Sequence, residues 1–357
     1  MFESIQYWDP AAQFVLFSAL KILVVFGVTM GFVSLAVVAE RRVSAWIQDR
    51  VGPNRVGIPF TNIRFLGLGQ MLADGLKFLL KEDFTPNYVR TVYFWLAPAI
   101  TMIPAFLTLA VIPFGSTLGN SSNRMVIADL NVGILYTFGI VSLGVYGIVL
   151  AGYAANSKYP FLGGIRSSAQ MISYEIAMGL SVIPIFLLVG SLNLGDVVGY
   201  QSGGLHTWLV WKQPLAFFIF LIAAFAETNR LPFDMPESET ELVGGYHTEY
   251  SSMKFALFFL GEYANMIASC SMMVTLFFGG WTPPWGASAA TTLWAGLGHV
   301  AWFLAKMIAM MLLFIWVRWM LPRFRYDQLM DLGWRRFIPM ALFNILVTAF
   351  VVALWQR

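Results

Sequence analysis

With 58% hydrophobic and only 11% charged residues, this 357-residue chain is too apolar for a soluble domain, where about 25% of residues are charged. A net charge of +3 carries no message until it is placed on a topology, and no nucleic-acid partner is expected. One cysteine, Cys270, and three scattered histidines, His206, His247 and His299, exclude an internal disulfide, iron–sulfur cluster, thiolate metal site or haem ligand pair. Any redox centre must belong to a partner.

The first apolar run, about 14–39, is too long for a secretory h-region and lacks a basic n-region or cleavage site. It reads as a retained span ending at Glu40-Arg41-Arg42. Further runs long enough to cross about 30 Å of hydrocarbon fall at roughly 92–114, 132–154, 174–192, 208–227, 253–278, 293–317 and 337–355. The expectation is an all-α polytopic membrane protein of about eight transmembrane helices. With no internal repeat or low-complexity linker, residues 1–357 form a single integral membrane domain. Counting Lys254 and Lys212 at the rims of their spans with the adjoining loops, the loops after spans one, three, five and seven hold 8, 2, 2 and 5 Lys and Arg, 17 in all, against three on the opposite side. The basic side faces the cytoplasm, so both termini face outward.

The first of these loops, about 40–91, carries a tight turn at Arg50-Val-Gly-Pro-Asn-Arg55 and then a helix-period stretch, Gly67 to Glu82. Leu68, Met71, Leu72, Leu76, Leu79 and Leu80 share one face of it, opposite Gln70, Asp74, Lys77 and Lys81. Such a helix either lies on the lipid surface or walls a cavity; Asp74 among apolar neighbours favours the cavity.

Charge is concentrated in the wrong place for a membrane. Glu227, Asp234, Glu237, Glu239, Glu241, Glu249 and Glu262 make seven of the 19 carboxylates. Glu262 and Glu175 lie inside spans, as do Lys21 and Lys306, and intramembrane ionisable groups mark ion or substrate pathways. Lys21 can reach the outer surface with its stem. Lys306 reads as a buried charge partner for one of these carboxylates. Asn265, one turn beyond Glu262, is a natural hydrogen-bond partner for it. Acids packed this closely do not ionise independently, which is the chemistry of a proton path. Glu249 and Glu239 also fit a solvated loop.

At these residues the chain resembles the H-subunit family of proton-pumping NADH:quinone oxidoreductase, respiratory complex I. The matching motifs are Ala39 to Arg42, Arg50 to Arg55, Gly69 to Glu82, Gly164 to Glu175, Glu227 to Leu242, Glu249 to Ser251, and Leu321 to Asp327. Ser238 and Ser252 depart from the pattern, standing where the family usually has Gly or Ala, and Gly. The resemblance implies a membrane subunit that forms much of a quinone chamber and couples quinone reduction to proton translocation. By it, Glu40, Arg41, Arg50, Arg55 and Asp74 line the chamber or its entrance. Glu175, Glu227, Asp234, Glu237, Glu239, Glu241 and Glu262 form the acidic path. FMN and iron–sulfur clusters are implied in partner subunits, alongside small membrane and antiporter-like subunits, in a bacterial inner membrane. The weighed alternatives are the equivalent subunit of a membrane hydrogenase or ferredoxin-driven complex, a standalone ion transporter and a purely structural anchor. The transporter lacks the expected inverted repeat.

Overall fold

The structure is a computed structural model describing residues 10–57, 67–117, 124–236, 239–287 and 290–355; the side chains of residues 10–14, 239 and 240 are outside that description. Nine principal helices carry the architecture: α1 (Pro10–Ile47), α2 (Gly69–Leu80), α3 (Thr91–Thr108), α4 (Gly133–Ala154), α5 (Lys158–Val189), α6 (Pro214–Glu227), α7 (Ser252–Phe277), α8 (Leu293–Met320) and α9 (Ile338–Trp355). Among the described residues the only β-pairing is an isolated bridge between Thr117 and Arg124. Among the described residues, seven helical segments are long and apolar enough to cross a membrane, and α6 is a shorter apolar helix. The protein is an all-α polytopic membrane protein.

Backbone groups in hydrocarbon must be satisfied within the protein, which is why the apolar runs become helices. Two depart instructively from their expected bounds. Helix α5 starts at Lys158, sixteen residues ahead of the expected 174, because the polar stretch before Glu175 is helical too. Small residues allow it to seat on α4: a Cβ at Gly152 would come within 2.5 Å of the Pro160 carbonyl oxygen. Close backbone approach of this kind is the usual basis of helix contact in membranes.

The second departure is α6. Pro214 begins it and separates it from the four-residue helix Leu209–Lys212, so the expected span 208–227 is two pieces. Fourteen residues reach only about 21 Å at 1.5 Å per residue. Neither Lys212 nor the residues beyond Glu227 extend the helix. It stops at Glu227, and the non-helical segment that follows is enclosed by protein, with Arg230, Phe233, Asp234 and Met235 all buried. Irregular backbone at this depth is tolerated only in such an enclosure.

Helix α7 is the central post. Two-thirds (67%) of its most apolar window is buried, against 17% for the last span. The loops sort into two ends. At one, Lys21 Nζ donates to the carbonyls of Arg124 and Val126, Asn193 donates to Asp129, and Ser116 bonds His299. Lys21 thus reaches from its helix to the loop at that end of the bundle. At the other end Lys254 pairs with Asp83, Arg166 with Glu241 and Arg323 with Asp234. The basic loops share this second end.

Helix α2 spans twelve residues, within the stretch expected at 67–82, and buries none of its side chains. Its C-terminus is tied to the start of α7 by Ser252, whose hydroxyl lies 3.0 Å from the Phe78 carbonyl oxygen and 2.9 Å from that of Lys81. Ser252 has φ of +55°, so this departure from the family's Gly does sit in the left-handed region. Its hydroxyl bonds offset that strain.

Candidate functional site

Between α1, α2, α7 and α8 lies a cavity of about 610 Å³. Val33, Val37, Met71, Phe78, Phe255 and Phe259 make its apolar walls, and Glu40, Arg41, Asp74 and Arg318 give it a charged side. An apolar cleft with a few convergent polar groups is what a small organic ligand requires. Arg41 Nη2 is 2.8 Å from Asp74 Oδ2, and Gln70 donates to the other oxygen at 2.8 Å. The helical period thus places Gln70 and Asp74 together on the side of α2 that meets α1. Its leucines behave differently: Leu72, Leu76 and Leu80 remain exposed.

Glu40 is where the cavity meets the interior. It is 6% exposed and accepts from Arg230 Nη1 at 2.7 Å and Tyr263 OH at 2.6 Å, while Arg318 Nη1 stands 2.6 Å from its other oxygen. Arg230 is itself only 2% exposed and lies with its guanidinium carbon 4.2 Å from the centre of the Tyr263 ring. Its Nε is 2.6 Å from Glu262 Oε1. One guanidinium therefore serves two carboxylates, as its rigid fork of five donors permits. Asp234 sits nearby in the enclosed loop, 2.8 Å from Arg323 Nη2. Burial pushes its carboxyl up to about 6, with Arg323 pulling the other way.

Beyond Glu262 the charge balance ends. Glu227, the last residue of α6, is 1% exposed, and among the described residues neither of its oxygens has a hydrogen-bond partner. Glu175 is close enough for the two charges to repel, and it is held by the Ser142 hydroxyl of α4. Two small cavities flank Glu227, of about 40 and 20 Å³.

The structure thus gathers Glu40, Arg41 and Asp74 at the cavity, with Glu262, Asp234, Glu227 and Glu175 behind them. It does not gather all the anticipated residues. Arg50 and Arg55 are exposed and stand outside the cavity lining. Glu241 pairs with Arg166 at 2.6 Å on the exposed end of the loop. Glu249 likewise accepts from Tyr88 at the surface, as a solvated loop acid would. Glu237 lies outside the described residues, as does the side chain of Glu239.

Two partners differ from expectation. Lys306 makes no ion pair with a carboxylate among the described residues. Its ammonium donates to the carbonyls of Phe278 at 2.8 Å and Thr282 at 2.7 Å, just past the C-terminus of α7. That position carries partial negative charge from the helix dipole, which removes the need for an acid. Glu262, in turn, takes Arg230 rather than Asn265 as its partner.

Arg230, Arg318, Arg323 and Tyr263 are direct partners of these carboxylates that the sequence does not single out. A signal exists for Arg230, which falls three residues after Glu227 inside the same acidic motif. Arg318 counts among loop charges in the sequence because it follows the apolar run, whereas α8 continues to Met320 and points it at Glu40.

A family model described as NADH dehydrogenase matches residues 20–349. The chain is 50% identical over 347 residues to an H-subunit of NADH-quinone oxidoreductase from Geobacter metallireducens, covering 97% of this chain and 99% of that one. This chain belongs to the H-subunit family of NADH-quinone oxidoreductase. It is also similar to an H-subunit of the same enzyme from Cytophaga hutchinsonii, at 46% identity over 96% of this chain and 98% of that one. The H-subunit of Flavobacterium johnsoniae is 45% identical over 96% of each chain. Membership in this family makes the chain part of a multisubunit oxidoreductase complex.

Proposed function

We propose that the 610 Å³ cavity receives a quinone and that its reduction is coupled to proton translocation through the carboxylates behind it. The observation that carries this reading is the unbroken series from the cavity wall inward: Glu40 shares Arg230 with Glu262, and Glu262 shares a small cavity with the unpartnered Glu227. The apolar walls suit a hydrophobic tail, and the charged side suits a polar headgroup. Electrons come from a partner subunit of the peripheral arm, where FMN and iron–sulfur clusters reside; small membrane subunits and antiporter-like subunits continue the path.

Reducing a quinone to a quinol consumes two electrons and two protons. Those protons leave groups at the charged side of the cavity, and their loss alters the balance around Arg230. Low dielectric makes such a change felt over several ångströms. The acids behind then redistribute protons toward Glu227 and Glu175. Movement of the acidic loop near Pro232, Pro236, Gly244 and Gly245 is a second ingredient. The basic loops face the cytoplasm, both termini lie on the periplasmic side of the bacterial inner membrane, and the chain works as one integral domain.

The test uses the assembled complex. Glu227→Gln should lower proton pumping and quinone reduction more than tenfold, while NADH oxidation by a water-soluble acceptor stays at the wild-type rate. Wild-type pumping in both Glu227→Gln and Glu262→Gln would overturn the reading.

A further inference from the structure

Asn265 is a polar residue on α7 that stands between the paired and unpaired carboxylates without a partner. Among the described residues no hydrogen bond forms to its side chain, although it lies one turn beyond Glu262. Its place is set by the two small cavities. The larger has Glu262, Glu227, Thr101, Asn229 and Asn265 on its wall. The smaller continues past Ser269 to Thr108 and Thr137. Among the described residues only three line both: Val141, Glu227 and Asn265. One is apolar, one is a carboxylate and one is an amide.

Size and chemistry agree. A water needs about 10–15 Å³ of such space and two to four polar partners. At about 40 and 20 Å³, the cavities have room for a few waters and for one. At the far end of the smaller cavity Thr108 and Thr137 accept rather than donate, because they give their hydroxyl protons to the carbonyls of Pro104 and Gly133, each at 2.9 Å. Glu227 likewise only accepts while ionised. A junction between such groups needs a side chain that donates and accepts at once without changing charge. Asparagine does both.

We propose that Asn265 is the positioning residue that joins the two cavities into one proton path around Glu227. The inference rests on the coupling role given above to Glu227. A proton on water in the larger cavity passes to a Glu227 oxygen, forming an O–H bond, and the same carboxyl gives a proton to water in the smaller cavity. Glu227 ends as it began. Asn265 accepts through Oδ1 from one water and donates through Nδ2 to the other, holding both within reach of Glu227 while never itself titrating.

The test compares Asn265→Val, Asn265→Leu and Asn265→Ser in the complete complex. The apolar variants should lower pumping-coupled quinone reduction more than tenfold and raise its solvent deuterium isotope effect, with NADH oxidation by a water-soluble acceptor unchanged. Asn265→Ser, which keeps a donor and an acceptor, should stay within about threefold of wild type. A merely structural role would move neither the isotope effect nor the contrast between Ser and Val. Wild-type coupled rates in both apolar variants overturn the inference, and so does Asn265→Ser being as impaired as Asn265→Val. Should the apolar variants assemble poorly, Asn265→Ala against Asn265→Ser repeats the contrast with side chains smaller than the native one. Glu227→Gln is measured alongside. If it is dead while Asn265→Val is active, only the role of Asn265 fails; if it is active, the path itself fails.

Discussion

Glu40 and Glu227 are both almost sealed from the surface, at 6% and 1% exposed. Glu40 accepts from Arg230 and Tyr263 and faces Arg318, whereas Glu227 accepts from nothing among the described residues. Around the cavity the formal charges cancel: Glu40 and Glu262 against Arg230 and Arg318. Around Glu227 and Glu175 no cation among the described residues answers. A paired carboxylate holds its charge and orients its neighbours, while an unpaired one in the same medium is free to trade that charge for a proton. The first group is suited to shaping a ligand site and the second to carrying protons.

That contrast breaks most visibly at Arg230. Arg230→Met takes the shared cation away from the buried Glu40 and the half-buried Glu262, and losing one member of a buried pair costs about 3–5 kcal/mol. The subunit should vanish from assembled complex on native gels. Adding Glu40→Gln and Glu262→Gln to the same chain should restore much of it. Removing one charge should have opposite signs at the two ends. Glu262→Gln costs about 1–3 kcal/mol of stability through lost charged hydrogen bonding and so lowers the thermal midpoint of the purified complex, while Glu227→Gln leaves the midpoint unchanged or higher. A matching drop in both would erase the distinction.

Asp234 gives a gentler test, through pH. Its folded carboxyl at about 6 lies above its ordinary 3.8, so between those values the folded loop binds a proton that the opened loop does not. The loop's stability is greatest below about 4, declines as pH rises through 6, and is flat above. Hydrogen exchange across 231–236, corrected for intrinsic rates, should show that decline, and Asp234→Asn should abolish it. His247, which burial pushes down from 6.5 to about 4, works in the opposite sense and loses stability as pH falls between those values. The smallest effect belongs to Ser252. Ser252→Ala keeps the left-handed backbone and loses the hydroxyl bonds, about 1 kcal/mol, whereas Ser252→Gly relieves the backbone and comes out close to neutral. Protease sensitivity of the 67–90 segment distinguishes them.

Helices that lie mostly in an apolar medium leave a plain trace in the sequence, which is why α3, α4, α7 and α8 match their expected runs closely, whereas α1 continues to Ile47, eight residues past its expected end, and carries Glu40 and Arg41 on the helix. Helix α5 reads too short because Arg166, Ser167, Ser168 and Gln170 look like loop residues; Gln170 is instead fully buried, donating to the carbonyls of Ala226 and Phe233. The carboxylates are legible because acids are rare in such a chain. Their cations are not, since an arginine at a helix end is ordinarily a surface charge, and only packing brings Arg318 to Glu40 from the far end of the chain. Lys306 misleads for the same reason in reverse. Backbone carbonyls have no letter in the sequence.

Helix α7 has one more implication. Phe255 and Phe259 on its first turns form the cavity wall, and Glu262 and Asn265 follow on the same continuous rod. From Phe259 to Asn265 is about 9 Å of rise. A quinone seated in the cavity as proposed would therefore press on the same helix that carries the acid and the amide. The Ser252 contacts fasten the near end of that rod to the helix that forms the rim of the cavity.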